Sequence, residues 1–342
     1  MRAILKSLVL GSLGICAATM AFGQAKTPTL DGVKARGSLN CGSGTGLAGF
    51  GLPDAQGNWS GLDVDMCRAI SAALFNDPTK IKFVSLSAKD RFTALQSGEV
   101  DVLSRNTTWT LSRDTALGLN FAGVNYYDGQ GFAVRKSAKI ASALELNGAS
   151  ICVQQGTTTE LNLADYFRAN KLTLKAVTFA TNDETVKAYE GGRCDAFTTD
   201  ASGLYSERLR MAKPDDHIVL PEIISKEPLG PSVRHGDDQW LDVVKWTHFA
   251  MITAEELGVT KANVEEQLKS TNPDVRRLLG TEGKHGEALG LSNDWAYRII
   301  KHVGNYGEVF EKNVGAGSQL KIARGINNLW SKGGLQYAPP IR

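Results

Sequence analysis

Val100-Asp101-Val102-Leu103-Ser104-Arg105-Asn106-Thr107-Thr108-Trp109-Thr110-Leu111-Ser112-Arg113-Asp114 changes character partway along. Val100, Val102 and Leu103 form a short apolar run. Hydroxyls, an amide and two guanidinium groups follow it directly. A buried strand that ends in donors is where an open α/β sheet binds its ligand. These donors suit a small anionic or zwitterionic group such as a carboxylate.

On both sides of this stretch, strand and helix signals alternate. Ser38–Cys41 and Ile81–Val84 read as strands. Gly61–Leu74 opens an amphipathic helix, and Asp90–Ser97 is a shorter one stopped by Gly98. Such alternation predicts a parallel α/β sheet. Asp63 and Asp65 read as a helix N-terminal cap in preference to a metal pair. The glycine-rich loop at 42–51 lacks the Lys-Ser/Thr of a phosphate loop and does not lead straight into a helix. It reads as the lining of a small-molecule cleft.

Tyr126–Arg135 crosses into a second region, and the β/α rhythm restarts from Ile140. Strands are expected at 149–153, 174–178, 195–199 and 218–220, with helices at 158–169, 183–190 and 201–209. Leu229–Arg234 reads as a return crossing. Two α/β units joined by two crossings predict a hinged protein with its ligand cleft between lobes. The first lobe is expected to take 30–132 and 233–342, including a C-terminal helical extension, and the second lobe 133–232. Helices are expected near 262–269, 273–279, 295–303, 305–311 and 322–330, their tryptophans and other aromatics in the core.

The N-terminus reads as a signal peptide of residues 1–23. Arg2 and Lys6 precede an apolar stretch that ends in Ala21-Phe22-Gly23, with cleavage after Gly23 or Ala25. Ile15 before Cys16 argues against a lipoprotein. Loss of Arg2 and Lys6 balances the mature chain at 36 cations and 36 acids. Such a chain has no field for nucleic acid. No mature segment is apolar enough for membrane insertion.

Cys41, Cys67, Cys152 and Cys194 remain, and export permits disulfides. Three pairings are possible. Cys41–Cys67 with Cys152–Cys194 is favoured because each pair lies within one expected lobe. A metal site is disfavoured, since there is no C-x-x-C and no histidine near these cysteines. No cofactor is expected. His217, His235, His248, His285 and His302 are scattered, and no nucleophile constellation is present, so binding is expected instead of catalysis.

Two further stretches bear on the cleft. Gln155-Gly156-Thr157-Thr158-Thr159-Glu160 places free backbone N–H groups and hydroxyls at a helix start. Asp200 follows a strand, where it can cap a helix or accept from a ligand ammonium. An anion-binding Arg113 and an acceptor Asp200 match the two ends of an α-amino acid.

With CGSGTGLAGFGLPDAQGNWSGLDVDMCRA, DRFTALQSGEVDVLSRNTTWTLSRD, YYDGQGF, CVQQGTTTELNLADYF, GRCDAFTTDASGLY, PEIISKEPLGP, GDDQW and WSKGGLQYAPP, the chain resembles the periplasmic solute-binding proteins of polar amino-acid ABC transporters. It is most similar to the general L-amino acid-binding members. The resemblance implies a type II periplasmic binding protein fold, and a monomeric receptor that closes on L-amino acids and delivers them to a membrane permease. It implies that Arg113 takes the α-carboxylate and that Thr108 and Asn106 add donors. It implies contacts from Thr157 or Thr158, an ammonium contact from Asp200, and a match of Arg91 to an arginine that meets acidic ligand side chains. Where relatives selective for basic amino acids carry an acid and a tyrosine, this chain has about Gly44 and Leu47, so broad specificity is expected. Arg105 replaces a smaller residue of many relatives and has no assigned role. The alternatives are a dehydratase-like enzyme on the same scaffold, which would need an acid or base absent from the 107–110 segment, and a sensor module, which would need a separate membrane partner.

Overall fold

The structure, a computed structural model, describes residues 28–44 and 46–342. The expected signal peptide lies outside them. Two five-stranded sheets organise the chain. In the first, Leu39–Ser43 pairs in parallel with Ile81–Ser85 on one side and Val102–Leu103 on the other. In the second, Ser150–Gln154 pairs in parallel with Lys175–Phe179 and Ala196–Asp200.

Each sheet also takes an antiparallel strand delivered from the other half of the chain. Ser232–Arg234 inserts between Val102–Leu103 and Leu119–Phe121. Gln130–Arg135 inserts between Ala196–Asp200 and His217–Val219. This exchange makes a two-lobed periplasmic binding protein fold with two crossings, as expected. Gln130–Phe132 pairs in the second sheet and Ser232 in the first. The crossings pair with each other as a two-stranded ribbon, Tyr126–Asp128 against Glu227–Leu229.

The second sheet shows why its strands read as near-continuous apolar runs. Phe132, Val134, Ile151, Val153 and Ala196 face one core, while Ala133, Cys152 and Phe197 face the other. Successive side chains alternate between faces, and helices cover both. In the first lobe, helix Leu62–Phe75 packs with Asp238–Glu256, Trp295–His302 and Tyr306–Asn313. One core runs from Leu30 and Cys41 through Ile70 to Ile299 and Phe310. Disulfides join Cys41 to Cys67 and Cys152 to Cys194, each within one lobe.

Several local expectations change. Helix Leu62–Phe75 is capped by Gly61, with no side-chain cap, so neither Asp63 nor Asp65 has that role. The cap needs φ of 129°, and a Cβ there would meet the Phe50 carbonyl oxygen at 2.0 Å. The helix expected near 262–269 is reduced to Val264–Gln267. No α-helix spans 322–330, where only the short 3-10 turns Gly325–Asn327 and Trp330–Lys332 form. Asn327 there bonds across to Tyr127 instead of continuing a helix. Trp240 and Trp295 are buried as expected, but Trp330 is exposed and donates to Glu256 Oε1 at 2.8 Å. Among the described residues, no helix is long and apolar enough to cross a membrane.

Candidate ligand cleft between the lobes

The loop after Val102–Leu103 is built to present side chains. Arg105 is buried, with Nε donating to the Leu86 carbonyl at 3.0 Å and Nη1 to Asn106 Oδ1 at 3.3 Å. Burial brings its guanidinium down to about 10, opposed by Asp63. Arg105 is thus a brace of the loop, which gives the residue a structural role. Asn106 has φ of 24°, a conformation Asn tolerates better than most residues. Its N–H donates to Asp63 Oδ2 at 2.7 Å. Asp63 is buried and pushed up to about 6 by desolvation, against the Asn106 N–H and the Arg105 charge. Asp63 is therefore an anchor for the loop.

Thr110 caps the short helix Leu111–Thr115 by accepting from the Arg113 N–H at 3.3 Å. That turn aims the Arg113 side chain back, and its Nη1 donates to the Thr108 carbonyl at 2.8 Å. Arg91, at the start of helix Arg91–Ser97, donates to Thr107 Oγ1 at 3.3 Å. Its buried Nε has no protein partner. The Arg91 and Arg113 guanidinium carbons lie 4.7 Å and 5.1 Å from the centre of the same ring, that of Phe92. Cations are attracted to such a ring, which offsets part of the repulsion between them. Burial lowers Arg91, and the Arg105 and Arg113 charges lower it further, while Asp200 and Glu227 oppose this.

The opposing groups are carboxylates. Asp200 ends the strand Ala196–Asp200 and makes no side-chain cap to the following helix, which removes its capping role. Burial pushes it well above the usual carboxylate range, Asp128 and Glu227 add to the rise, and Arg91 and Arg113 pull it back. Asp128 is pushed up to about 6, mainly by burial, although Ser202 and the Gly129 N–H donate to it. A buried carboxyl group of this kind gives up its proton more readily once a cation stands beside it.

Thr157 and Thr158 separate in role. The Thr157 hydroxyl accepts from the Glu160 N–H at 3.1 Å and donates to the Gln154 carbonyl at 2.7 Å, so it serves its own helix cap. Thr158 faces the first lobe, with Oγ1 3.2 Å from Thr108 Oγ1. Arg210 Nη1 of the second lobe also donates to the Gly46 carbonyl at 3.3 Å. The lobes therefore meet directly. The tertiary structure thus brings Arg91, Asn106, Thr108, Arg113, Thr158 and Asp200 to one buried region and leaves the Thr157 hydroxyl out of it. Sequence reasoning missed Glu227, Asp128 and the ring of Phe92. Glu227 is 1% exposed and accepts from Thr108, Thr158, Asn162 and Ser225. Among the described residues, no group of three or more metal-ligating side chains occurs.

Two lobes that meet over opposed guanidinium and carboxylate groups define a solute-binding protein. The chain belongs to the bacterial extracellular solute-binding proteins, family 3, whose pattern matches residues 39–262. It is 63% identical over 335 residues to the general L-amino acid-binding periplasmic protein AapJ of Rhizobium johnstonii, covering 97% of this chain and 98% of that one. It is 56% identical over 338 residues to the glutamate/glutamine/aspartate/asparagine-binding protein BztA of Rhodobacter capsulatus, covering 98% and 99%. Among solved structures, an ABC transporter periplasmic binding protein from Brucella ovis with glutathione bound superposes with a TM-score of 0.90. It is 64% identical, and the match covers 92% of this chain and 99% of that one. These relatives are binding proteins, not enzymes, and the resemblance read from the sequence is borne out.

Proposed function

We propose that this protein is a periplasmic receptor that captures L-amino acids over a broad range and delivers them to the permease of an ABC transporter. The observation that carries this is the charge arrangement of the cleft. Arg113 and Arg91 both lie against one aromatic ring in the first lobe, and Asp200 stands within their electrostatic reach at a strand end of the second. An α-amino acid presents the complementary pair, with its carboxylate toward Arg113 and its ammonium toward Asp200. Asn106, Thr108 and Thr158 border the same space. Arg91 keeps a buried, unpartnered Nε for a second acceptor, as an acidic or amide side chain would offer.

Closure brings the second lobe onto ligand held by the first, so ligand state becomes shape that a permease can read. The names of the two relatives, for general L-amino acids and for acidic amino acids and their amides, support this range. A second reading is a small peptide. Glutathione carries a free α-amino acid end and a second carboxylate, which suits more than one guanidinium, and the Brucella ovis relative has it bound. A thermal-shift screen of the mature protein against the twenty L-amino acids, glutathione and several non-amino-acid anions tests both. Ligand that binds only folded protein raises its melting temperature. Shifts with many L-amino acids support the broad receptor. A shift with glutathione alone selects the peptide reading, and no shift with any amino acid overturns the proposal.

A further inference from the structure

Glu227 lies on the return crossing, and its position is set by backbone bonds to the first lobe. The Trp109 N–H donates to the Pro228 carbonyl at 2.8 Å, and the Gly230 N–H to the Thr107 carbonyl at 3.0 Å. The crossing and the 107–109 loop therefore form one piece. From it, the Glu227 carboxylate reaches the first turns of helix Thr158–Ala169 in the second lobe. Oε2 accepts from Thr108 Oγ1 at 2.6 Å and Thr158 Oγ1 at 2.9 Å. Oε1 accepts from Asn162 Nδ2 at 2.7 Å and Ser225 Oγ at 2.8 Å.

A threonine hydroxyl has one proton and two lone pairs. A carboxylate is a stronger acceptor than a neutral hydroxyl. Both hydroxyl protons therefore go to Glu227, and the 3.2 Å approach of Thr108 to Thr158 is left without one. Neither hydroxyl then has a proton for a ligand carboxylate. Both offer only lone pairs, and lone pairs receive an ammonium.

We propose that Glu227 is a positioning residue that turns Thr108 and Thr158 into acceptors, so that the cleft selects ligands bearing an α-ammonium. This rests on the amino-acid reading above and deepens it. It reassigns the Thr108 hydroxyl from a donor for the ligand carboxylate to an acceptor for the ligand ammonium, leaving the carboxylate to the guanidinium groups. The carboxyl groups of Asp200 and Asp128 stand at the same end of the site.

The discriminating variant is Glu227→Gln, which keeps the shape and exchanges one acceptor oxygen for a donor amide. Two of the four donors then face an N–H and must turn round or go unpaired. Calorimetry would compare L-glutamate with glutarate, which lacks the α-ammonium, or the tightest amino acid of the screen with its desamino counterpart. Glu227→Gln is expected to weaken the amino acid at least about tenfold and the desamino acid less than about threefold. Equal factors for both would show a purely structural role and overturn the assignment, as would unchanged amino-acid affinity.

If the desamino acid binds too weakly to measure, or if Glu227→Gln does not fold, Thr158 carries the test. Where Glu227→Gln folds, the Thr158→Val and Glu227→Gln losses are expected to be non-additive, because both act through one hydroxyl, and additive losses would overturn the proposal. Thr158→Val alone is expected to weaken the amino acid, and an unchanged affinity would overturn it equally. Wild-type protein that binds no L-amino acid sinks the receptor reading. Wild-type binding with a flat variant result sinks only the role of Glu227.

Discussion

Glu227 sits directly opposite Asp128 in the antiparallel ribbon formed by the two crossings. The ladder thus places two carboxylates side by side in a buried site. Burial, with a contribution from Glu227, pushes Asp128 up to about 6. Asp200 is raised well above the usual range by burial first, then by both of these neighbours. The acidic end of the cleft is therefore assembled by the hinge itself.

Ligand binding should release protons near pH 6. In the free protein, Asp128 and Asp200 hold protons above the pH at which an exposed carboxylate loses them. An ammonium beside them favours their ionised forms and lowers both. Acidification from pH 7 to pH 5 is then expected to weaken amino-acid affinity. Calorimetry in two buffers of different ionisation enthalpy would detect release of roughly one proton at pH 6. Identical enthalpies in both buffers would show that these carboxylates do not titrate with binding.

Arg113→Ala is expected to weaken L-amino acids at least about thirtyfold. Removing one buried charged partner costs ~2 kcal/mol or more, and each ~1.4 kcal/mol is a factor of ten. Asp200→Asn is expected to give a smaller but clear loss, since the amide keeps an acceptor oxygen and loses the charge. Near-normal affinity of Arg113→Ala by calorimetry would remove this residue from the carboxylate site.

Glu207, on helix Ala201–Arg210, is pushed up to about 7, mainly by burial, even though Asn182 and Arg210 donate to it. Its folded value lies above its unfolded one, so the folded protein binds more protons. That contribution favours the fold at low pH and is lost as pH rises from about 4.5 to about 7. Denaturant midpoints measured across this window should fall less steeply for Glu207→Gln than for the wild type. Parallel curves would mean that Glu207 does not carry the dependence.

The C-terminal segment braces the first crossing. Asn327 takes the Tyr127 N–H on Oδ1 at 2.7 Å and donates Nδ2 to the Tyr127 carbonyl at 3.0 Å, occupying the edge that Glu227–Leu229 leaves open. Arg324 holds Asn327 through its carbonyl and pairs with both oxygens of Glu255 at 3.1 and 3.2 Å. Both side chains of that pair are largely buried. Arg324→Ala leaves Glu255 without its partner and is expected to cost at least about 2 kcal/mol in denaturant unfolding. Ligand affinity should stay within about twofold, since Arg324 pairs with Glu255 and Asn327 and not with the candidate ligand contacts. An unchanged midpoint would show that the brace is energetically idle.

The two alternating α/β units and their two crossings were legible in the residue pattern, and so were several candidate residues of the cleft. These signals are local. A strand that breaks into donors marks Arg113, a Gly-Thr-Thr-Thr helix start marks Thr158, and a strand-end acid marks Asp200. The remaining cleft residues emerge from long-range pairing. Nothing around Ser225-Lys226-Glu227-Pro228 distinguishes it from a polar turn. Glu227 becomes functional because antiparallel pairing sets it against Asp128 and under two threonines from different lobes. Asp63 and Asp65 misled for the same reason. Local pattern reads an acid near a helix start as a cap, but Gly61 already closes that end, and the Asp63 carboxylate is spent on the loop that carries Asn106. Phe92 was legible as an apolar residue, not as the ring that gathers Arg91 and Arg113, because that role depends on two segments meeting in space. Periodicity and capping act over a few residues, whereas the charge of a binding cleft is set by which distant side chains the sheets bring together.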